Sequence, residues 1–453
     1  MRFGLFYEHQ LPRPWADGDE QQLISDALDQ IELADRLGYD YVWEVEHHFL
    51  EEYSHSSAPE VFLAAASQRT ERIRLGHGII QTAPGYNHPV RTAERVAMLD
   101  LVSGGRVDFG SGESSSEAEL GGFLIDPVEK REAWEEGLRV AVRCLTEEPF
   151  TGHDGKFSTV PPRNVVPKPV QRPHPPLWVA CSRRDTILLA AEKALGALTF
   201  AFIDPEEAKH WVDDYYETLA AKGVPIGRDV TAEVACVTPM MCHHDEGTAI
   251  EMGLEGGNFF GFSLAHYYVF GDHVPGSTDV WQQFIERRDE MGYSPEAAIA
   301  EAQETLGAKV AAGDNTGLRG AIGTPDQIRE YIRRYEEAGV DQLIFVMQAG
   351  NNRHEDIMAS LELFGSEVLP EFAERCDERD AAKRQRLEPV IEQVMARRVD
   401  DAPPMPDDYV MRAYPRQMVE AADNQEGRDW MEKLADNQAA GVRDPDDLGV
   451  LGG

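Results

Sequence analysis

The sequence predicts an α/β protein built on a (β/α)8 TIM barrel, with an insertion before the last strand and a C-terminal extension. Eight short strand-like runs alternate with amphipathic segments, which is the pattern of a parallel sheet with helical crossovers. Eight such units fit a closed barrel better than an open sheet. The predicted strands cover residues 2–7, 40–46, 73–80, 106–110, 177–181, 197–201, 231–241 and 342–347.

Capping chemistry marks three of the predicted helix starts. Ser57 and Thr324 stand three residues before Glu60 and Gln327, each with a proline between, which fits a capping box with proline in the first turn. His88, also followed by proline, is expected to open a third helix that ends at a Gly-Gly pair.

Two regions depart from the alternating pattern. Residues 242–322 contain additional helix-like segments and are predicted to form the insertion. Its glycine- and aromatic-rich stretch, 256–268, suits either a lid over an apolar substrate or packing against a dimer partner. Residues 376–453 are rich in charge and proline, so we assign 1–375 to the barrel and 376–453 to an acidic, partly helical extension.

The composition is strongly acidic. Lys and Arg number 43 against 81 Asp and Glu, which gives a formal net charge of −38. Such a field repels phosphate backbones, so nucleic acid is not expected as a partner. Diffuse acidity of this kind favours solubility in concentrated salt.

Compartment and metal content are also predicted from composition. No run approaches the roughly 18 uninterrupted apolar residues of a membrane span, and the chain begins with a strand-like pattern, not a signal peptide. We therefore expect a cytoplasmic protein without membrane contact. Five scattered cysteines argue against a disulfide framework. The CHHD stretch at 242–245 lacks a second ligand cluster, so no metal site is expected.

Chemistry in a barrel of this kind lies at the carboxyl ends of the strands. Those ends read WEVEHHF at 43–49, GHGII at 76–80, GGRVDFGSG at 104–112 and WVACS at 178–182. With IGTP at 322–325, AGVD at 338–341 and LFG at 363–365, they resemble the bacterial luciferase-like monooxygenases over nearly all of residues 1–372. No single motif is strong, but the ordered set is specific.

The resemblance implies a flavin-dependent monooxygenase. Such an enzyme takes reduced FMN from a separate flavin reductase and uses O2 to oxidise a small, apolar organic substrate; a homodimer is expected. Two alternatives stay open. Some relatives transfer hydride with a deazaflavin, and others are non-catalytic flavin-binding subunits, although the presence of His47 argues against the latter.

His47 matches the family histidine that faces the flavin, and we predict that it is the catalytic residue. An imidazole titrates near neutrality and can move protons. The alternative is a structural histidine at a strand end. The side chain of adjacent His48 should point elsewhere because neighbouring residues of a strand face opposite ways. Glu44 and Glu46 either line the barrel mouth or form strand-end salt bridges.

Eight residues are predicted to bind the cofactor. Gly78 and Ile79 match the place where the family often has a non-proline cis peptide beneath the flavin; a simple bulge is the alternative. Gly112 and Glu113 match the loop in which the family often places an arginine near the flavin phosphate, but a carboxylate there would repel phosphate. The replacement charge is expected after the fifth strand, at the helix start formed by Cys181, Ser182, Arg183 and Arg184.

Overall fold

The computed structural model contains a closed barrel of eight parallel strands. It describes residues 1–199, 203, 205–288, 319–400, 402–411, 425, 428–430 and 433. Each strand pairs in parallel with the next, and the last pairs with the first, which closes the barrel. The strands are β1 (Arg2–Tyr7), β2 (Tyr41–Glu44), β3 (Arg74–His77), β4 (Val107–Gly112), β5 (Leu177–Cys181), β6 (Gly196–Thr199), β7 (Val234–Cys242) and β8 (Gln342–Val346).

Alternation along the strands builds two cores. In β1, Phe3, Leu5 and Tyr7 join the large apolar cluster between barrel and helices. Phe6, between them, joins a second cluster inside the barrel, the inner apolar cluster, which also includes Trp43. This two-residue period follows from the pleat of a strand. Because the predicted strands were chosen from this period, the predicted barrel and its eight strands are confirmed. Residues 200–201 of the sixth predicted strand lie outside the described residues.

Helices surround the barrel, and several short elements extend it. A 3-10 turn covers Glu51–Tyr53, a π-helical turn His266–Phe270, and a small hairpin joins His153–Asp154 to Thr159–Val160. Two further short strands, Ile80–Gln81 and Ala321–Gly323, pair with β4 and β7. The helices are Asp19–Leu37, Pro59–Ser67, Pro89–Val102, Glu117–Gly122, Lys130–Thr146, Arg184–Glu192, Pro205–Lys222, Glu246–Ala265, Val280–Arg287, Pro325–Ala338, His354–Glu367 and Leu369–Ala396.

Two of the three predicted helix caps form. Thr324 makes the full capping box, and the His88 ring accepts a hydrogen bond from the backbone of Val90. The prediction for Ser57 was wrong. That helix begins one residue later, with Ala58 at its N-cap and no side-chain hydrogen bond there.

The insertion and the extension differ in how they are built. The insertion contributes Glu246–Ala265, Val280–Arg287 and the strand Ala321–Gly323, while residues 289–318 lie outside the described residues. The helix Leu369–Ala396 runs across the expected boundary at 375, and Leu387 and Val394 are buried in the large cluster. The chain divides later, into compact units Met1–Ala402 and Pro403–Gly453. Along the described chain, none of the helices has the length and apolarity needed to cross a bilayer.

Candidate active site

His47 lies just beyond the carboxyl end of β2, between two carboxylates. Its backbone N–H donates to the carbonyl of Ser56 at 2.7 Å, which holds the segment in place. Nδ1 lies 3.0 Å from Oε1 of Glu119, and Nε2 lies 3.5 Å from Oε2 of Glu8. Burial alone would lower the pKa of His47, but the charges of Glu8 and Glu119 outweigh it and raise that pKa to about 9. The imidazole therefore keeps its proton at neutral pH.

Glu8 follows β1 directly and is buried. Its Oε1 accepts a hydrogen bond from the Tyr53 hydroxyl at 2.8 Å, while Oε2 has no hydrogen-bond partner among the described residues. Burial raises the pKa of Glu8 to about 7, against the opposing effects of His47 and the Tyr53 hydrogen bond. Glu8 is therefore a carboxyl group that gains or loses a proton near neutrality, next to the imidazole.

Glu119 comes from the short helix Glu117–Gly122 and is fully buried. Besides His47, it accepts hydrogen bonds from the backbone N–H of His48 at 3.0 Å and from the Ser114 hydroxyl. Burial would raise the pKa of Glu119, but the charge of His47 and these hydrogen bonds outweigh it, so the pKa is lowered. Glu119 is thus a fixed anion that orients the ring through Nδ1.

The neighbouring His48 has a different partner. Its Nε2 lies 3.3 Å from Oε1 of Glu46, and its ring packs edge-on against Phe123. Glu46 also accepts from the backbone of Gln81 at 2.7 Å and from Asn87 at 2.8 Å. Glu46 thus serves as a strand-end anchor.

Glu44 belongs to a second buried group beneath the site. Its Oε1 lies 3.0 Å from Nε2 of His9, and both side chains are 1% exposed. The Ser56 hydroxyl also bonds to Glu44. His9 has a φ of 55°, a left-handed conformation that is uncommon outside glycine. This group links the ends of β1 and β2 and fixes the segments that carry Glu8 and His47.

Gly78 and Ile79 form a break between β3 and the strand Ile80–Gln81. The cis peptide bonds of the described residues all precede prolines, so the Gly78–Ile79 bond is trans and the bulge interpretation applies. Gly78 donates to the carbonyl of Glu44 at 2.6 Å, and Ile79 joins the inner apolar cluster. A Cβ on Gly112 would come within 2.6 Å of the end of the Ile79 side chain, so any larger residue there would require Ile79 to move. The barrel mouth therefore has a close-packed apolar floor.

Glu113 is paired with a cation that the sequence analysis did not single out. Its Oε1 accepts from Nη2 and Nε of Arg131, at 2.9 and 3.1 Å. Lys130 donates to the carbonyl of Ser114 at 2.5 Å. Burial lowers the pKa of Lys130; Glu113 raises it, whereas the positive charges of Arg131 and Arg183 lower it further. We call Lys130, Arg131 and Arg183 the cation patch; it restores positive charge beside Glu113.

The four residues predicted after β5 separate into two groups. Cys181 is fully buried, and burial raises the pKa of its thiol, so it is a core residue. Ser182 is exposed at the helix start, next to Arg183, whose Nε lies 3.2 Å from Asp185. Arg184 instead forms an ion pair across the surface, Nε to Oδ2 of Asp214 at 2.5 Å.

The insertion covers the carboxyl end of the barrel. Phe260, in the helix Glu246–Ala265, packs against the Tyr53 ring at 5.7 Å and belongs to the inner apolar cluster. The ring of Tyr268 lies 6.4 Å from that of His47. Aromatic side chains of the insertion therefore bound the space above His47.

Sequence reasoning missed Glu8, Glu119 and Arg131. Glu8 carried a usable signal, because it directly follows β1 and the same strand-end rule that selected His47 applies to it. Arg131 opens the helix Lys130–Thr146 as part of a Lys-Arg pair, a weaker signal. No sequence pattern indicated Glu119, because only the fold brings it next to His47.

Comparisons with known proteins identify the family and the fold. The family model for luciferase-like monooxygenases matches residues 1–342. The oxygenase component of flavin-dependent trigonelline monooxygenase from Acinetobacter baylyi is 26% identical over 396 residues, which cover 84% of this chain and 98% of that protein. Monooxygenase RslO1 from Streptomyces bottropensis has a TM-score of 0.64 at 26% identity, over 82% of this chain and 100% of that one.

Two more distant structures share the fold. The oxygenating constituent of 3,6-diketocamphane monooxygenase from Pseudomonas putida, in complex with FMN, has a TM-score of 0.60 at 21% identity, over 82% of this chain and 98% of that one. Coenzyme F₄₂₀-dependent tetrahydromethanopterin reductase from Methanopyrus kandleri has a TM-score of 0.55 at 23% identity, over 82% and 99%. The chain belongs to the luciferase-like monooxygenase family and is a flavin-dependent oxidoreductase.

Proposed function

We propose that this protein is a monooxygenase that uses reduced FMN and O2 to oxidise a small, apolar organic substrate. The observation that carries the proposal is His47, held at the carboxyl end of β2 between Glu8 and Glu119. A family member with an intact proton-transfer group at this position is suited to catalysis and not to a supporting role. This argues against the non-catalytic subunit.

The residues present suit FMN. When bound and reduced, the flavin supplies the electrons that activate O2. Ile79, a member of the inner apolar cluster, offers an apolar contact to a planar ring. The cation patch offers Lys130, Arg131 and Arg183 to a phosphate, since three neighbouring cations gain from a shared anion. Of the residues first expected to hold the phosphate, Ser182 and Arg183 fit best.

His47, Glu8 and Glu119 have different roles in proton transfer. Glu119 holds Nδ1, so Nε2 is the nitrogen that exchanges a proton. Glu8 faces that nitrogen and titrates near neutrality, so it can accept the proton or return it. Tyr53 orients Glu8 through its hydroxyl. Proton transfer thus proceeds between the buried Glu8 and the largely buried His47.

The aromatic residues of the insertion indicate the class of substrate. Phe260, Tyr267 and Tyr268 descend from the insertion onto the inner apolar cluster, so the wall facing His47 is aromatic. An apolar molecule of modest size is favoured there, since it buries its surface without leaving polar atoms unpaired. A separate flavin reductase is expected to supply the reduced FMN, because the trigonelline enzyme is named as an oxygenase component.

A deazaflavin-dependent hydride transfer is the second candidate. It is favoured by one observation: a coenzyme F₄₂₀-dependent reductase shares the barrel. The same Glu8 and His47 pair could then deliver or remove the proton that accompanies hydride transfer. The FMN proposal predicts O2 consumption, whereas this alternative does not.

The deciding experiment combines cofactor binding with oxygen uptake. Anaerobic fluorescence titrations with reduced FMN, oxidised FMN and coenzyme F₄₂₀ should give the tightest binding for reduced FMN. Substrate-dependent O2 uptake should then appear with some members of a panel of hydrophobic small molecules. Binding of the deazaflavin alone would favour hydride transfer. If none of the three cofactors binds at high micromolar concentration, the proposed function is wrong.

A further inference from the structure

The π-helical turn His266–Phe270, which we call the aromatic turn, places two tyrosines over the candidate active site. The ring of Tyr268 lies 6.4 Å from that of His47. The ring of Tyr267 lies 6.4 Å from that of Tyr53, the residue whose hydroxyl bonds to the carboxyl group beside His47. The contacts that hold the aromatic turn in place therefore also fix one wall of the space above His47.

A chain of three side chains, His266, His273 and Glu51, ties the aromatic turn to the 3-10 turn beyond β2; we call them the histidine relay. Nε2 of His266 lies 3.3 Å from Nδ1 of His273, and Nε2 of His273 lies 3.1 Å from Oε1 of Glu51. Glu51 also accepts from the backbone N–H of Gly276 at 2.8 Å and pairs with Arg13 at 2.6 Å. Burial alone would raise the pKa of Glu51, but these hydrogen bonds outweigh it, so the pKa is lowered. Glu51 is thus the fixed anion at the end of the relay.

His266 is the buried end of the relay, with only 1% of its surface exposed. Its other ring nitrogen, Nδ1, has no hydrogen-bond partner in the described part of the chain. Burial lowers the pKa of His266, and the charges of His273 and Arg287 lower it further, whereas Asp272 opposes them. The ring of His266 is therefore neutral at neutral pH and takes up a proton only in acid.

Tyr267 and Glu52 are titratable groups that also lie close to the relay. The Tyr267 ring packs against that of His273 at 4.9 Å, and burial raises the pKa of its hydroxyl, which therefore stays neutral. Glu52 is fully buried, and burial raises its pKa against backbone hydrogen bonds, two of which come from Val280 and Trp281. Protonation of Glu52 in acid would thus affect the start of the next helix and not the aromatic turn.

The two facing ring nitrogens of the relay can share one proton but not two. His273 keeps a proton on Nε2 to donate to Glu51, so its Nδ1 either accepts from or donates to Nε2 of His266. One additional proton on the two rings is tolerated, because a single hydrogen still lies between them. A second additional proton would place N–H against N–H and put like charges on rings whose nitrogens are 3.3 Å apart. The link between His266 and His273 therefore holds at neutral pH and breaks when both rings are charged.

We propose that the histidine relay is a pH-sensitive latch that holds the aromatic turn over His47 and releases it in acid. At neutral pH the relay fastens Tyr267 and Tyr268 against the mouth of the barrel. When His266 and His273 are both protonated, their repulsion frees the turn and opens the space above His47. Release of the turn requires neither cofactor nor substrate, although the use of the latch to control access to the site rests on the proposed function.

Hydrogen–deuterium exchange of the full chain, without cofactor or substrate, tests the latch. After correction for the intrinsic pH dependence of exchange, the amides of residues 266–276 should lose protection roughly 10-fold between pH 7.5 and about pH 5. The amides of the barrel helix Lys130–Thr146, which carries no residue of the relay, should keep theirs. Equal protection of residues 266–276 at both pH values, or a loss shared by both segments, would overturn the proposal.

Two substitutions of His273 locate the titrating group. His273→Ala removes the link, so protection of residues 266–276 should be low at both pH values. His273→Gln cannot take up a proton but can still donate a hydrogen bond to Glu51, so protection should be partly restored and no longer depend on pH. His244→Gln is the matched control, because His244 belongs to the same insertion and its side chain is 68% exposed; it should behave as wild type. A loss of protection in acid that persists in His273→Gln would assign it to another group and refute the latch.

Discussion

Oε2 of Glu8 lies 3.5 Å from Nε2 of His47, and this oxygen has no hydrogen-bond partner within the described residues. The two groups perturb each other, since the imidazole holds the carboxyl pKa down while the carboxylate holds the imidazole pKa up. Such a pair is a proton-exchange unit whose state changes near neutral pH. The arrangement of Glu8, His47 and Glu119 leads to three testable expectations.

The first concerns stability against pH. The folded pKa of His47, about 9, is above the ordinary 6.5. Its protonation therefore stabilises the fold fully below pH 6.5, and that contribution is lost as the pH rises through 9. The gap in unfolding free energy between wild type and His47→Gln should shrink from pH 6 to pH 9, by roughly 1–3 kcal/mol. Urea unfolding at several pH values measures it. A gap that widens with pH would contradict the assigned charge of His47.

The second concerns turnover. His47→Ala should slow substrate oxidation roughly 100- to 10,000-fold, the usual contribution of a general acid–base group. Flavin affinity should change little, because Ile79 and the cation patch make the expected contacts. His48→Ala is the control, since the His48 ring contacts Glu46. Single-turnover mixing of reduced enzyme with O2 and substrate gives both rates. If His48→Ala were the slower variant, the proton-transfer role would belong to His48.

The third concerns the pH dependence of the rate. Glu8→Gln removes a group with a pKa of about 7, so the inflection of the rate profile near pH 7 should disappear. Tyr53→Phe should move that inflection to higher pH, because the Tyr53 hydrogen bond lowers the pKa of Glu8. Rates measured from pH 5.5 to 9 test both. An unchanged inflection in Glu8→Gln would assign it to another group.

The cation patch leads to a fourth prediction, in which two adjacent arginines differ. Arg183→Ala should weaken flavin binding about 10- to 150-fold, the equivalent of one charge-assisted hydrogen bond. Arg184→Ala should have little effect, because Arg184 is held by Asp214 on the outer surface. Fluorescence titration of reduced FMN compares them. Equal losses, or a larger loss for Arg184→Ala, would move the phosphate site.

The contrast between Arg183 and Arg184 shows where sequence reasoning ends. The barrel was predictable because strand alternation and capping are local patterns, and His47 was proposed because it follows a strand end and matches the family histidine. The direction of Arg184 depends on Asp214, thirty residues later, and the site partner Glu119 reaches His47 only through the fold. Burial of Leu387 and Val394 was equally hidden, since charged residues surround them in the sequence. Local sequence patterns carry no information on contacts between residues that are distant in the sequence.

The last prediction follows from that hidden burial. A chain ending at Ala402 should keep the stability of the barrel unit, because none of the described residues 403–411 is buried. A chain ending at Glu374 should be far less stable. It loses the buried side chains of Leu387 and Val394, each worth roughly 1.5–3 kcal/mol, and the ion pair of Lys383 with Asp341. Urea unfolding of both truncations, followed by circular dichroism, makes the comparison. Equal stability of the two truncated chains would show that the helix Leu369–Ala396 is an appendage. If the chain ending at Ala402 failed to fold, part of the core would lie beyond residue 402.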